Sequence, residues 1–150
     1  MGTNINLGWY TGLMHTQQTD GNSRNLLFSS LYYTFTKSPV LKGGINYQYL
    51  SFANQVPTLY FSPSKYQAAE LFLDLTGTSG KWSYAANAAG GVQRVANDKA
   101  TTLFRLEGKL NYILSNRFQA GAYGKYSNIA SATAVGFEFM EVGVKVSGRF

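Results

Sequence analysis

Apolar and polar residues alternate along most of this chain. Ile5, Leu7, Trp9 and Leu13 fall on one face of the first run, with Asn4, Asn6, Gly8 and Tyr10 on the other. Further along, Leu41, Ile45, Tyr47 and Tyr49 stand opposite Lys42, Asn46 and Gln48, and Leu71, Leu73 and Leu75 opposite Glu70 and Asp74. Phe104, Leu106, Leu110, Tyr112 and Leu114 oppose Arg105, Glu107, Lys109 and Asn111. In the last run Met140, Val142, Val144 and Val146 oppose Glu141, Gly143, Lys145, Ser147 and Arg149. A period of two with one apolar face marks a half-buried strand. The pattern predicts about eight strands, near 3–14, 26–37, 41–52, 67–76, 81–93, 103–114, 118–128 and 138–150. No helix, linker or low-complexity tract is predicted, and no repeat beyond the hairpin.

Most of these runs are long for a soluble strand and match the 9–11 residues that a tilted strand needs to cross a bilayer. Connections alternate in length. His15–Asn25, Ala53–Tyr66, Arg94–Thr102 and Ile129–Phe137 are the longer ones; Ser38–Val40, Gly77–Gly80 and Ser115–Arg117 are tight. Outer-membrane barrels have this arrangement, with long loops outside and short turns on the periplasmic side. Phe35, Trp82, Tyr84, Tyr112, Phe118 and Phe150 fall near strand ends on the short-turn side, where an interfacial aromatic girdle belongs. The expected fold is therefore all-β: an antiparallel up-and-down transmembrane β-barrel of about eight strands, one domain over residues 1–150.

Composition strengthens this reading. Only 13% of residues are charged, about half the usual share of a soluble protein, and 45% are apolar. A soluble barrel or sandwich would turn its polar face to water and need more Lys and Glu there. This polar face instead carries Ser83, Asn87, Gly91 and Gln93 with sparse charges, which suits a confined lumen. Disulfides, thiolate metal sites and cysteine nucleophiles are excluded, since there is no Cys.

The polar face gathers Lys42, Glu70, Asp74, Arg105, Glu107, Lys109, Lys125, Glu141, Lys145 and Arg149, half of the charged residues. In a closed eight-stranded barrel, whose interior side chains just fill, these would pair as a structural core; in a wider barrel they would line a pore and bias it by charge. His15 is the single histidine. With Ser29, Ser30 and Asp20 it supplies the ingredients of a lipid-modifying triad, but no motif ties them together, so no catalytic residue is assigned. No cofactor, metal or nucleic-acid motif is present. The net charge of +6 is scattered and not gathered in a binding stripe; its rim members suit anionic lipopolysaccharide.

Two segments carry a resemblance. Val144-Lys145-Val146-Ser147-Gly148-Arg149-Phe150, preceded by Val142, resembles the C-terminal signal of bacterial outer-membrane proteins that the barrel-assembly machinery reads. Tyr60-Phe61-Ser62-Pro63-Ser64-Lys65-Tyr66 leads into a strand and is followed by Gly80-Lys81-Trp82-Ser83-Tyr84. It resembles the C-terminal barrel of the C-type proteins of bacterial cellulose synthase systems, over roughly residues 55–150. That resemblance implies a bacterial outer-membrane location, export of an exopolysaccharide and a glycan polymer as partner, beside membrane lipid. It also implies a barrel of about twice this strand number, appended to tetratricopeptide repeats that are absent here. No signal peptide precedes the first strand, so the chain reads as a mature or truncated form, such as half of a larger barrel. The alternatives are a small closed structural or surface-interaction barrel, and a lipid-modifying enzyme.

Overall fold

The computed structural model describes residues 6–56, 60–130 and 138–148. It holds eight strands: β1 (Leu7–Gln17), β2 (Ser23–Lys37), β3 (Val40–Phe52), β4 (Tyr66–Ser79), β5 (Trp82–Val95), β6 (Thr101–Ile113), β7 (Phe118–Ser127) and β8 (Phe139–Gly148). They form one sheet in chain order, each antiparallel to the next. The up-and-down order is the expected one. The closed ring is not: among the described residues β1 and β8 do not pair, and the sheet is open.

Two connections are shorter than the alternation suggests. β1 and β2 continue through Thr16–Arg24 and Gln17–Ser23 pairs, so their connection is 18–22 and His15 lies within a strand. β5 and β6 likewise close theirs to 96–100. Backbone N–H and C=O groups go on pairing whether or not the side chains alternate, and a hydrophobic period registers only the half-buried part of a strand. The connections at 53–65 and 128–138 remain long, and the turns at 38–39, 80–81 and 114–117 short.

The registers sort the faces. Trp9, Leu31, Ile45, Leu71, Gly90 and Phe104 are successive partners across six strands. On the opposite face Lys42, Asp74, Asn87, Glu107, Lys125 and Glu141 make another such row. Lys42 lies near the short-turn end of β3, whereas Glu141 lies near the long-connection end of β8. The apolar face has no cover: Leu13, Leu71 and Val144 are 82%, 65% and 86% exposed. Toward the polar face the sheet curls, so that Phe28 of β2 and Phe139 of β8 line one cavity of about 400 Å³.

Curling crowds the inner face, and glycine answers the crowding at two places. A Cβ on Gly44 would lie 2.1 Å from the Leu31 carbonyl oxygen, and one on Gly91 2.0 Å from that of Ala69. Both clashes are with backbone, which cannot swing aside. A register shift between Thr34 and Thr36 adds a bulge to β2; bulges and glycine kinks are the usual means of bending a sheet.

Substitution at these glycines reports the curvature directly. Gly91→Ala forces two backbones apart and is expected to cost at least the 1–3 kcal/mol or so of an overpacked core. Gly108→Ala, with nothing within 4 Å of the new carbon, is expected to be near neutral. Urea midpoints of the refolded protein compare them, and equal midpoints would contradict the curvature.

Candidate functional site

The concave polar face joins its charges across strands. Glu70 Oε1 accepts from Arg105 Nη2 at 2.9 Å and from Asn46 Nδ2 at 2.8 Å; on the intervening β5, Gly91 stands opposite Glu70 and Ala89 opposite Arg105. Without a side chain at Gly91 the arginine reaches over. Lys109 Nζ meets Glu107 Oε1 at 3.0 Å along β6, and Lys125 Nζ meets Glu141 Oε2 at 3.7 Å between β7 and β8. Tyr123 also donates to Glu141 Oε1, at 2.8 Å. Asp74 accepts from Asn87 Nδ2. Lys42 faces Asp74 in register without an ion pair, and its Nζ sits 5.2 Å from the centre of the Tyr32 ring. Lys145 has no ion pair among the described residues, and Arg149 and Phe150 lie outside them.

These pairs are not equal. Glu70 is the sheltered member, its side chain 11% exposed, against 31% for Glu107 and 38% for Glu141. Exposed pairs contribute little, because water and salt screen them.

One end of the concave face is capped by the segment 60–66. Tyr66 is fully buried and Leu103 almost so; they pack with Leu50, Phe52, Ala68 and Ala130. Phe61 meets the Tyr66 ring edge-on at 5.8 Å, and Tyr60 lies 5.8 Å from Phe52. Ser62 Oγ accepts from the Val56 N–H at 2.6 Å, and the Pro63 carbonyl accepts from the Phe52 N–H. Leu50, Phe52, Tyr66 and Leu103 all belong to the polar face by register, so the segment folds inward.

A residue without any motif holds this cap. Asn22 is 2% exposed. Its Nδ2 donates to the Asn54 carbonyl and to Tyr60 Oη; its Oδ1 accepts from the N–H groups of Ser23 and Asn54. The Tyr60 hydroxyl donates to Asp20 Oδ2 at 2.7 Å. That bond holds the Asp20 carboxyl below its usual pKa and Tyr60 above its own. On the far side Gln93 accepts from Tyr66 Oη and the Ala130 N–H, and donates to the Asn128 carbonyl. The Asp-Gly-Asn sequence at 20–22 signals a turn, but nothing in it signals that Asn22 is buried under a loop some 30 residues away in sequence.

The triad ingredients are not brought together. His15 Nδ1 lies 2.7 Å from Asn25 Oδ1. Ser29 bonds to Trp9 Nε1 and Thr11 Oγ1, about 13 Å along the strand from His15 at the usual rise. Asp20 is engaged by the cap, and Ser30 is on the opposite face.

The sequence that folds this way has a counterpart among known families. The family model of the cellulose synthase operon protein C C-terminus matches residues 3–145. The chain belongs to that family. No curated protein and no solved structure matches it. The match takes in β1 to β7 and part of β8, starting some fifty residues before the segment that carries the resemblance. In this member of the family, the segment at 60–66 is an inward-folded cap anchored by the buried Ser62, Pro63 and Tyr66.

The unequal shelter of the ion pairs sets an order of stability losses. Glu70→Ala leaves Arg105 and Asn46 without their acceptor and is expected to cost about 1–3 kcal/mol, while Glu107→Ala, in a half-open pair, costs about 1 kcal/mol or less. Urea unfolding of both variants checks the order; a larger loss for Glu107→Ala would overturn it.

The Asp20–Tyr60 bond makes the cap sensitive to pH at both extremes. Asp20, with its pKa lowered, contributes stability above its unfolded value that disappears as pH falls through the folded one. Tyr60, raised, contributes below its unfolded value and loses this as pH rises through the folded one. The bond therefore spans the neutral range. A difference ultraviolet titration of wild type against Tyr60→Phe isolates Tyr60; its midpoint is expected above ordinary tyrosine and to drop back in Asp20→Asn. No drop would break the link.

Proposed function

We propose that this chain is a bacterial outer-membrane domain in exopolysaccharide export, its apolar face toward lipid and its curled polar face along the path of a glycan. The carrying observation is the uncovered apolar face, rising to 86% exposure at Val144, on a member of the cellulose synthase operon protein C family. Strands hide such a face only against another layer or in lipid, and the sheet has no second layer among the described residues. In hydrocarbon the edges of β1 and β8 need partner strands, because unpaired backbone groups are too costly there.

On this reading the wall is non-catalytic and takes no cofactor. Val142, Val144 and Val146 present the face that the barrel-assembly machinery reads, and rim cations meet lipopolysaccharide. The buried cap at 60–66 closes the outer end of the path, so that export requires it to shift. Paired charges on the inner face leave the path nearly neutral, as a long uncharged polymer requires.

A second reading is favoured by the curvature. Phe28 and Phe139, on the second and last strands, line the same cavity, which suits a narrow eight-stranded barrel filled by its own side chains. Planar-bilayer conductance separates the two: an isolated narrow barrel conducts poorly, whereas large stable channels require a wider assembly.

Two measurements test the export reading. Cysteine at Thr19 is expected to react with an impermeant reagent on intact cells and cysteine at Thr78 not to; the reverse would sink the topology. Replacing 54–61 by a short glycine linker is expected to change polymer secretion at least several-fold, and unchanged secretion would remove the cap from the mechanism.

A further inference from the structure

Charge is divided unevenly between the two ends of the sheet. Of the seven acids, Glu70, Asp74, Glu107 and Glu141 lie on the polar face, and Asp20, Asp98 and Glu138 at the long-connection end. None lies at the short turns. Each of those turns carries or adjoins one cation instead: Lys37 beside 38–39, Lys81 within 80–81 and Arg117 within 114–117. All three are exposed, and neither Lys81 nor Arg117 enters an ion pair among the described residues. At the opposite end Arg24, Lys65, Arg94 and Lys99 are mixed with the three acids. One end carries both signs and the other only positive charge.

Two of these cations stand over one aromatic patch. Gly80, at φ +58°, turns β4 into β5 and leaves Lys81 at the tip. The Lys81 carbonyl accepts from the Ile113 N–H at 2.9 Å, which ties this tip to the end of β6. The next turn begins at Leu114, whose N–H donates to the Phe118 carbonyl at 3.0 Å, and Arg117 is its last residue. Lys81 and Arg117 thus flank Ile113 and Leu114. One step inboard, Trp82 and Tyr112 are cross-strand partners with ring centres 4.6 Å apart. They share the apolar face with Leu110, as Phe118 does with Val146. Phe35, Trp82, Ile113, Leu114 and Phe118 are all exposed. Amphipathic rings bordering an apolar face mark headgroup level, and long cationic side chains just beyond them reach phosphates by snorkelling. An acidic protein would meet the same cations but gives no reason for the rings beneath them.

We propose that the short-turn rim is a docking surface for an anionic phospholipid leaflet, with Lys81 and Arg117 holding headgroup phosphates over the Trp82–Tyr112 pair. The rim selects a headgroup of net negative charge over a zwitterionic one, because a zwitterion brings its own ammonium to the phosphate. Lys37 extends the positive rim to the first short turn. The proposal rests on the reading that the apolar face meets lipid, and it adds which lipid one rim prefers.

Trp82 is the reporter, and in the full chain carrying Trp9→Phe it is the single tryptophan. The protein is refolded into vesicles of equal parts phosphatidylglycerol and phosphatidylcholine, with bromine high on the acyl chains of one lipid or of the other. Bromine quenches a neighbouring indole. Quenching is expected to favour brominated phosphatidylglycerol by about two-fold or more, and the preference to vanish in Lys81→Gln/Arg117→Gln. Lys65→Gln/Arg94→Gln, at the other end of the sheet, is expected to keep it. So is Lys81→Arg/Arg117→Lys, which tests the charge should the neutral pair fail to fold. Equal quenching by the two lipids, or a preference that survives Lys81→Gln/Arg117→Gln, would overturn the rim and spare the lipid-facing reading. No quenching by either lipid would sink that reading and the rim with it.

Discussion

Curvature is the constraint on which the rest of this structure depends. In a flat sheet Glu70 and Arg105 would stand two strand spacings apart, roughly 9–10 Å, with a third strand between them; curling toward their side draws the two side chains together. The sheet bends because Gly44 and Gly91 carry no Cβ where neighbouring carbonyls close in. The same missing side chain at Gly91 clears the way for the arginine. One residue type therefore sets both the shape of the face and the electrostatics upon it.

The capped end uses different physics. Tyr66 and Leu103 are withdrawn from water by packing, and burial of large side chains of this kind is worth a few kcal/mol each, roughly 1.5–3. Packing alone would not fix which loop lies on top. Asn22 does, by committing its whole side-chain hydrogen-bonding capacity to Asn54, Tyr60 and Ser23. Hydrophobic burial holds the cap down and a polar residue tells it where to sit.

Much of this was legible in the sequence because a period of two reports faces directly. The alternation around Leu41–Gln48, Leu71–Leu75 and Phe104–Tyr112 places each residue on the face where the registers put it. Strand ends were less legible: Thr16, Gln17, Ser23 and Arg24 are polar on both sides, so periodicity stops while the ladder continues. Ion pairing was legible by face but not by partner, since register decides that Arg105 reaches Glu70 and that Lys42 sits by an aromatic ring. Asn22 was not legible at all, and of Gln93 only the face was. Their importance comes from loops that meet only once the sheet has bent, and no local pattern encodes that.

The row from Lys42 to Glu141 runs perpendicular to the strands, yet it starts near the short turns of one hairpin and ends near the long connections of another. Measured against the ends of the sheet the row climbs as it goes round. Its charges therefore do not form a ring at one height but a ramp: lysine low, then aspartate, glutamate, lysine and glutamate in ascending steps. Anything threading along the concave face would meet one charged step at a time, each on a different side, and never a complete belt of charge. A winding stair of this kind smooths the electrostatic landscape along the axis, because attraction released at one step is taken up at the next.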